Sequence, residues 1–410
     1  MTPAGSAGDE AAIAELRYLR SPRAIRERCE ALYALALRGE LRHWAVDESR
    51  LDAIARRVVR TTQAAYPDLR AIPGHSRWTH LLAGGVDRVR ALDERLDRLD
   101  DGGDDERLAS RFDLVITSVL LDAGAGDRWR YRAGGQTYSR SEGIAVASYD
   151  LFVAGAFSSD PERAPLRADA DALERVTAAV LARGLQVDGD NPMVGVEGRA
   201  ALLQRLGAAV RARPEWNGRL GGFGVQLRRA AQGGALPAAQ ILGAVLESLG
   251  SIWPGREVCA GQNLGDVWTH GTVGRVPLHK LSQWLTYSLF DPLERAGLSI
   301  AAPDELTGLA EYRNGGLFVD DGALVPKGEG VLRDEHEVSS DVVIEWRALT
   351  LALLDRTAER VRALLGLSAA ELPLAKVLEG GTWRAGRELA AEKRAGGGPP
   401  LRVRSDGTVF

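Results

Sequence analysis

Lysine is scarce in this sequence. The chain has 410 residues and 52 Lys plus Arg, of which only Lys280, Lys327, Lys376 and Lys393 are Lys. Arg offers a planar fork of donors, whereas Lys offers a compact point charge. A Lys kept in so Arg-rich a chain marks a place where that compact charge has a use, or simple chance. Lys327 and Lys393 fall in a Pro-Lys-Gly loop and in the polar tail, where solvation explains them. Cysteine is scarcer. Cys29 and Cys259 stand far apart, with no metal-ligand spacing, and fit two lone thiols in a reducing compartment. No apolar run reaches the ~18 residues of a membrane-spanning helix. No charged stretch followed by an apolar one opens the sequence, so a cytoplasmic, membrane-free protein is expected. A basic excess is missing too. The formal net charge is −4, which argues against a nucleic-acid partner. No repeat of fixed period is visible.

What is present is helix. The chain is 45% hydrophobic and 26% charged, an ordinary globular balance. Apolar residues recur with a period near 3.6. The pattern predicts helices over about 23–38, 48–64, 107–122, 142–155, 169–183, 196–211, 236–250, 277–290, 342–365 and 382–393. Ser21-Pro22 and Asp47 are start signals for the first two. Strand signals are few. The best is a short hairpin, Leu317–Val319 and Ala323–Val325, around Asp320-Asp321-Gly322. The expectation is one all-α domain over 10–393, in one or two lobes, with flexible tails at 1–9 and 394–410.

Five stretches interrupt the apolar pattern. "IPGHSRWTH" holds His75, Arg77, Trp78 and His80. Its two histidines are five residues apart, not the four that place a zinc pair on one helix face. It reads as a pocket wall or as a packed loop, and less readily as a metal pair. "SVLLDAGAGDRW" runs an apolar helix into Asp122, two glycines and Trp129. No Lys-Ser/Thr follows, so it is no phosphate P-loop; a helix C-cap and turn is the plain alternative. "RSEGIAVAS" places Ser141 as a candidate N-cap and Glu142 in the first turn, where a carboxylate suits the helix dipole.

"VPLHKLSQWLTYSL" is less ordinary. Pro277 suits a first helical turn, and Leu278, Leu281, Leu285 and Leu289 form a buried stripe. His279 and Lys280 then put cations where the macrodipole disfavours them. An anion bound at the helix N-terminus would account for both. The alternative is a Lys that snorkels beside Gln283, Trp284 and Tyr287. Last, "LTGLAEYRNGGL" sets Glu311, Tyr312, Arg313 and Asn314 before Gly315-Gly316. The glycines are expected to release the chain from a helix and turn the cluster toward a cleft. A surface Glu–Arg pair is the competing reading.

These stretches, with "SPRAIRERC", "FSSDP", "NPMVGVEGR" and "EWRALTLALLD", resemble the uracil-catabolism protein family of fungi and bacteria, from about residue 15 to 385. The resemblance implies a place in pyrimidine degradation through a ring-opened nucleotide. The motif order is also similar to that of queuosine-salvage nucleosidases, which resemble helix-hairpin-helix DNA glycosylases in fold. Asp122 and Trp129 echo their Asp-x6-Trp; Lys280 and Gln283 echo a Lys-Arg-Ala-Gln run. Ala310, Glu311, Tyr312 and Arg313 echo Ala-Asp-Tyr-Arg, with Glu one methylene longer than Asp. This likeness implies a mainly α, glycosylase-like fold and an N-glycosidase acting on a small nucleotide such as ribosylurea 5′-phosphate, with no cofactor.

On that reading Glu311 stabilises positive charge at C1′. Asp122 or Glu142 holds the ribose hydroxyls or protonates the leaving nitrogen. Lys280 and His279 hold the 5′-phosphate. His75, Arg77, Trp129, Gln283, Trp284, Tyr312 and Arg313 complete the substrate site. The alternatives are a metal-dependent amidohydrolase using His75 and His80, and a non-catalytic ligand-binding subunit.

Overall fold

A computed structural model describes residues 7–98, 103–122, 126, 128–254 and 256–404. Helices dominate, as the apolar periodicity predicts. The Val196–Arg211 helix has the predicted bounds, and Pro22–Leu37, Leu51–Ala65 and Asp341–Leu365 lie within three residues of theirs. Ser21 caps its helix by accepting the backbone N–H of Ala24 at 3.1 Å, with Pro22 at the first position. The stretch predicted as one helix over 169–183 is two, Ala170–Glu174 and Ala178–Gly184. Each half has its own cap: Asp169 accepts from Ala172 N–H, and Thr177 from Val180 N–H.

Asp341–Leu365 is the spine. It packs on Pro22–Leu37, Leu51–Ala65 and Tyr312–Asp320. A second buried helix, Gly103–Leu121, packs against Arg140–Val153, Gly222–Ala230 and Lys280–Arg295. Burial of Leu, Val, Ile and aromatic side chains along these helices joins them in one continuous core. Each such side chain is worth about 1.5–3 kcal/mol when fully buried. Strands are short and come in two-stranded pairs. Three are local hairpins, such as Val267–His270 with Gly274–Pro277. Others join distant parts, such as Trp44–Val46 with Leu324–Pro326. No described helix is long and apolar enough to cross a membrane. Both cysteines are buried and free.

Three expectations are corrected here. Residues Leu317–Val319 form no hairpin. They belong to the helix Tyr312–Asp320, and Leu324–Pro326 pairs with Trp44–Val46 instead. The Gly315-Gly316 pair lies inside that helix. A Cβ on Gly315 would stand 2.7 Å from the Trp346 ring, so the glycine permits close helix packing and not chain release. Of the tail expected to be loose, residues 394–404 are docked, and 405–410 lie outside the described residues. Arg394 forks onto Asp320 at 2.7 and 2.6 Å, and Arg402–Arg404 runs parallel to Glu335–Glu337. The 394–404 segment ends up beside the cavity described next.

Candidate active site

A cavity of about 400 Å³ opens where the Lys280 helix, the Tyr312 helix and the His75 loop converge. Its walls include His75, His80, Asp122, Arg140, Lys280, Trp284, Glu311, Tyr312, Arg313, Trp383 and the segment from Ala395 to Pro399. Residues more than 200 positions apart in the chain therefore share one wall. The volume suits a small metabolite.

Glu311 is the N-cap of the Tyr312 helix. Its carboxylate accepts the backbone N–H of Arg313 at 2.7 Å and of Asn314 at 2.5 Å. That fixes both oxygens on a rigid helix end. It is only 6% exposed, and Arg313 is 3% exposed, so a solvated Glu–Arg surface pair is ruled out. Burial pushes the Glu311 carboxyl above its ordinary pKa; the two N–H bonds and the Lys280 charge pull the other way. Arg313 turns from Glu311, donates to Gly397 O at 2.7 Å and lies 4.8 Å from the Tyr312 ring.

Asp122 sits at the end of the Gly103–Leu121 helix. It pairs with the fully buried Arg77 at 2.5 Å and accepts from Ser141 Oγ at 3.1 Å. Burial raises its pKa, but Arg77 outweighs burial, helped by His80 and Lys280, and the net direction is down. Asp122 is therefore held as an anion. Lys280 makes no side-chain hydrogen bond or ion pair among the described residues. Burial lowers its pKa, and Glu311 and then Asp122 oppose the shift.

Two histidines and two tryptophans form an aromatic corner. His75 and His80 lie 6.5 Å apart, edge to face. Trp284 and Trp383 each stand 5.8–6.4 Å from both rings. His75 Nδ1 lies 2.6 Å from Glu379 Oε2. Burial raises the Glu379 pKa, but the His75 contact together with His80 and Arg384 more than offsets it, so the carboxylate is anionic and accepts the Nδ1 proton. His75 Nε2 is then the nitrogen left for a ligand. His80 is pushed down to about 4 by burial and by Arg77, and is neutral near pH 7. Among the described residues no cluster of three or more His, Cys, Asp or Glu is placed to hold a metal ion.

The cavity thus gathers His75, Asp122, Lys280, Trp284, Glu311, Tyr312 and Arg313. Arg77 stands behind the wall, holding Asp122 and stacking 4.7 Å from the Trp284 ring. Four expected residues lie elsewhere. His279 is buried outside the cavity wall, with Nε2 at 2.9 Å from Leu19 O. Gln283 is buried and bonded to Thr307. Trp129 packs under Gly143 and donates to Leu185 O. Glu142 pairs with Arg387 at 2.8 Å, and Ser139, not Ser141, occupies the N-cap position of its helix. The helix N-terminus at Lys280 is also not a vacant anion site. Asp266 accepts the Lys280 backbone N–H at 2.9 Å and is itself forked by Arg347.

Arg140, Glu379 and Trp383 were not singled out in the sequence. Glu379 lies in a π-helical turn, Leu378–Thr382, just before Trp383. Such turns recur at functional sites, and "LEGGTW" was their only trace.

Fold and cavity together define a mainly helical protein built around a charged, small-molecule-sized site. Residues 18–410 match the family described as Protein of unknown function (DUF1688). Protein urg3 of Schizosaccharomyces pombe is 40% identical over 395 residues, 94% of this chain and 96% of that protein. Uracil catabolism protein 4 of Lachancea kluyveri is 35% identical over 438 aligned positions, 96% of this chain and 98% of that protein. The chain belongs to this family.

Proposed function

We propose that this protein acts in uracil catabolism as an N-glycosidase. Its substrate would be a ring-opened pyrimidine nucleotide such as ribosylurea 5′-phosphate, and its products ribose 5-phosphate and urea or a related ureido fragment. The likeness to uracil catabolism protein 4 of Lachancea kluyveri supports the pathway. The resemblance to nucleosidases supports the bond. The observation that carries the chemistry is the convergence of Glu311, Asp122, Lys280 and the His75–Glu379 pair on one cavity.

The roles follow from the environments. Breaking the C1′–N bond leaves positive charge on the sugar. Glu311 and the ionised Asp122 face that charge from fixed positions, which is how preorganised electrostatics lower a barrier. The leaving nitrogen takes the Nε2 proton of a His75 ring protonated on both nitrogens, whose Nδ1–H stays on the Glu379 carboxylate. Water adds to C1′ and gives its proton to Glu311, whose raised pKa makes it a better base than an exposed carboxylate. Lys280 offsets two carboxylates and keeps Glu311 available as an anion. Trp284 and Trp383 wall the site.

Incubation of the protein with ribosylurea 5′-phosphate, followed by assay of urea and of reducing sugar phosphate, tests this. Equimolar release of both is expected. Products that keep the sugar–nitrogen bond would point to attack on the ureido group and overturn the reading, as would an intact substrate.

A further inference from the structure

Three cations reach the cavity wall with no carboxylate in ion-pair range among the described residues: Arg140, Lys280 and Arg313. Two of them are held by the same piece of chain. Arg140 Nη2 donates to Gly396 O at 3.0 Å, and Arg313 Nη1 donates to Gly397 O at 2.7 Å. We propose that Arg140 and Arg313, clasped by the Ala395–Gly398 strap, form the phosphate-binding subsite of this cavity, and that it takes a sugar phosphate.

The backbone of both partners is shaped for it. Arg140 opens its helix at φ +54, a left-handed conformation uncommon for a residue with a Cβ. Such a conformation persists where the surroundings dictate it, commonly at ligand sites. On the other side, Gly396 at φ +77 and Gly397 at φ +58 turn the strap tightly at its contacts with the two guanidinium groups. The strap is anchored on both sides, by Arg394 on Asp320 and by the Arg402–Arg404 strand.

The donors are in surplus. A guanidinium has five N–H groups, and each strap carbonyl engages one. Arg313 Nε is buried with no partner. Burial disfavours the Arg140 charge, and Arg313 and Arg387 add like-charge repulsion. Glu142 offsets that repulsion only in part, being paired with Arg387 at 2.8 Å, and a phosphate dianion reverses its sign. Guanidinium–phosphate bonds are charge-assisted and frequently two-pronged. The competing anion position, the Lys280 helix N-terminus, is already filled by Asp266.

This site rests on the N-glycosidase reading only for the identity of the sugar, so it is tested by binding. Calorimetry on the full chain would compare ribose 5-phosphate with ribose, in the parent and in Arg140→Gln, Arg313→Gln and Lys280→Met. Arg140→Gln is expected to weaken ribose 5-phosphate at least ten-fold and leave ribose unchanged. Arg313 is buried, so Arg313→Gln is read only if its unfolding transition is intact; Arg140 is partly exposed and carries the test alone if it is not. Amide exchange at 395–398 should slow with ribose 5-phosphate and not with ribose. Parent-like affinity in Arg140→Gln, an equal loss for both ligands, a phosphate-selective loss confined to Lys280→Met, or unchanged exchange in the strap would each overturn the proposal. Phosphate-selective binding without ribosylurea 5′-phosphate hydrolysis would remove the glycosidase reading and leave this site standing. Hydrolysis with Arg140→Gln kinetics equal to the parent would do the reverse.

Discussion

Arg347 forks onto Asp266, Nη1 to Oδ1 at 2.7 Å and Nη2 to Oδ2 at 2.8 Å. The same guanidinium donates from Nε to Ala310 O at 3.1 Å. One side chain of the spine helix therefore fixes two parts of the cavity. Through Asp266 it sets the start of the Lys280 helix, and through Ala310 it sets the residue before Glu311. Burial raises the Asp266 pKa, but Arg347 overrides it, and the carboxyl is held well below the usual range.

Removing the Arg347 charge should therefore be costly. Arg347→Met would leave the largely buried Asp266 without its counter-ion. The expected loss is about 3–5 kcal/mol, as when one partner of a buried pair is deleted. Chemical denaturation with an unchanged slope would measure it. A loss below ~1 kcal/mol would mean that the pair does not organise the site. The Asp266 linkage has a definite sign. Its folded pKa is depressed, so the stability it contributes is present above the unfolded carboxylate pKa and is lost as pH falls through the folded one.

Glu311→Gln keeps shape and removes charge. If Glu311 faces the developing sugar cation, turnover should fall by on the order of 10²–10³, with substrate affinity little changed. The cap is weakened as well, since a carboxylate oxygen that accepts Asn314 N–H becomes an amide oxygen or nitrogen. About 0.5–2 kcal/mol of stability should go with it. Near-parent turnover by the folded variant on a substrate that the parent cleaves would exclude the proposed role.

Much of this fold could be read from periodicity, because helix faces announce themselves locally. The Val196–Arg211 helix and the long 341–365 spine are examples. The errors arise where a local signal had two meanings. Gly315-Gly316 reads as a helix stop, yet Gly315 is there for the Trp346 ring across the interface. Glu is an uncommon cap beside Ser, Thr, Asp and Asn, so Glu311 did not announce a helix start. Pro277 suits a first turn, but it ends a strand paired with Val267, which moves the helix start to Lys280 and turns His279 inward. The site was half legible. Asp122, Lys280 and Glu311 stood out as polar residues breaking apolar runs. Asp266, Glu379 and Arg140 owe their roles to partners 81, 304 and 256 positions away, a relation no local pattern encodes.

Lys280→Met removes a charge that lowers the Glu311 pKa. The Glu311 pKa should then rise further above its ordinary value. Catalysis by the ionised form falls as pH drops through that pKa, so the acid limb of the pH–rate profile should move to higher pH in the variant. Profiles of kcat for the parent and Lys280→Met, taken on the same substrate, measure the displacement. An acid limb at the same pH in both would mean that Lys280 does not tune Glu311.

Glu379→Gln probes the proton carrier without touching the sugar-facing carboxylates. The amide can still meet His75 Nδ1, but without its charge it no longer stabilises the ring protonated on both nitrogens, the form that donates from Nε2. Turnover should fall while affinity for the product sugar phosphate stays near the parent's, because binding does not use the proton. Stability supplies an independent readout. The Glu379 pKa is depressed in the fold, so its contribution is present above the unfolded carboxylate pKa and is lost as pH falls through the folded one. The variant should thus be less stable near neutral pH, by about 1–3 kcal/mol for a disrupted buried hydrogen bond. The difference should shrink in acid, where the parent's carboxylate also becomes neutral. A variant with reduced stability of this form but full turnover would reduce the His75–Glu379 pair to a structural contact and pass the leaving-group proton to another residue.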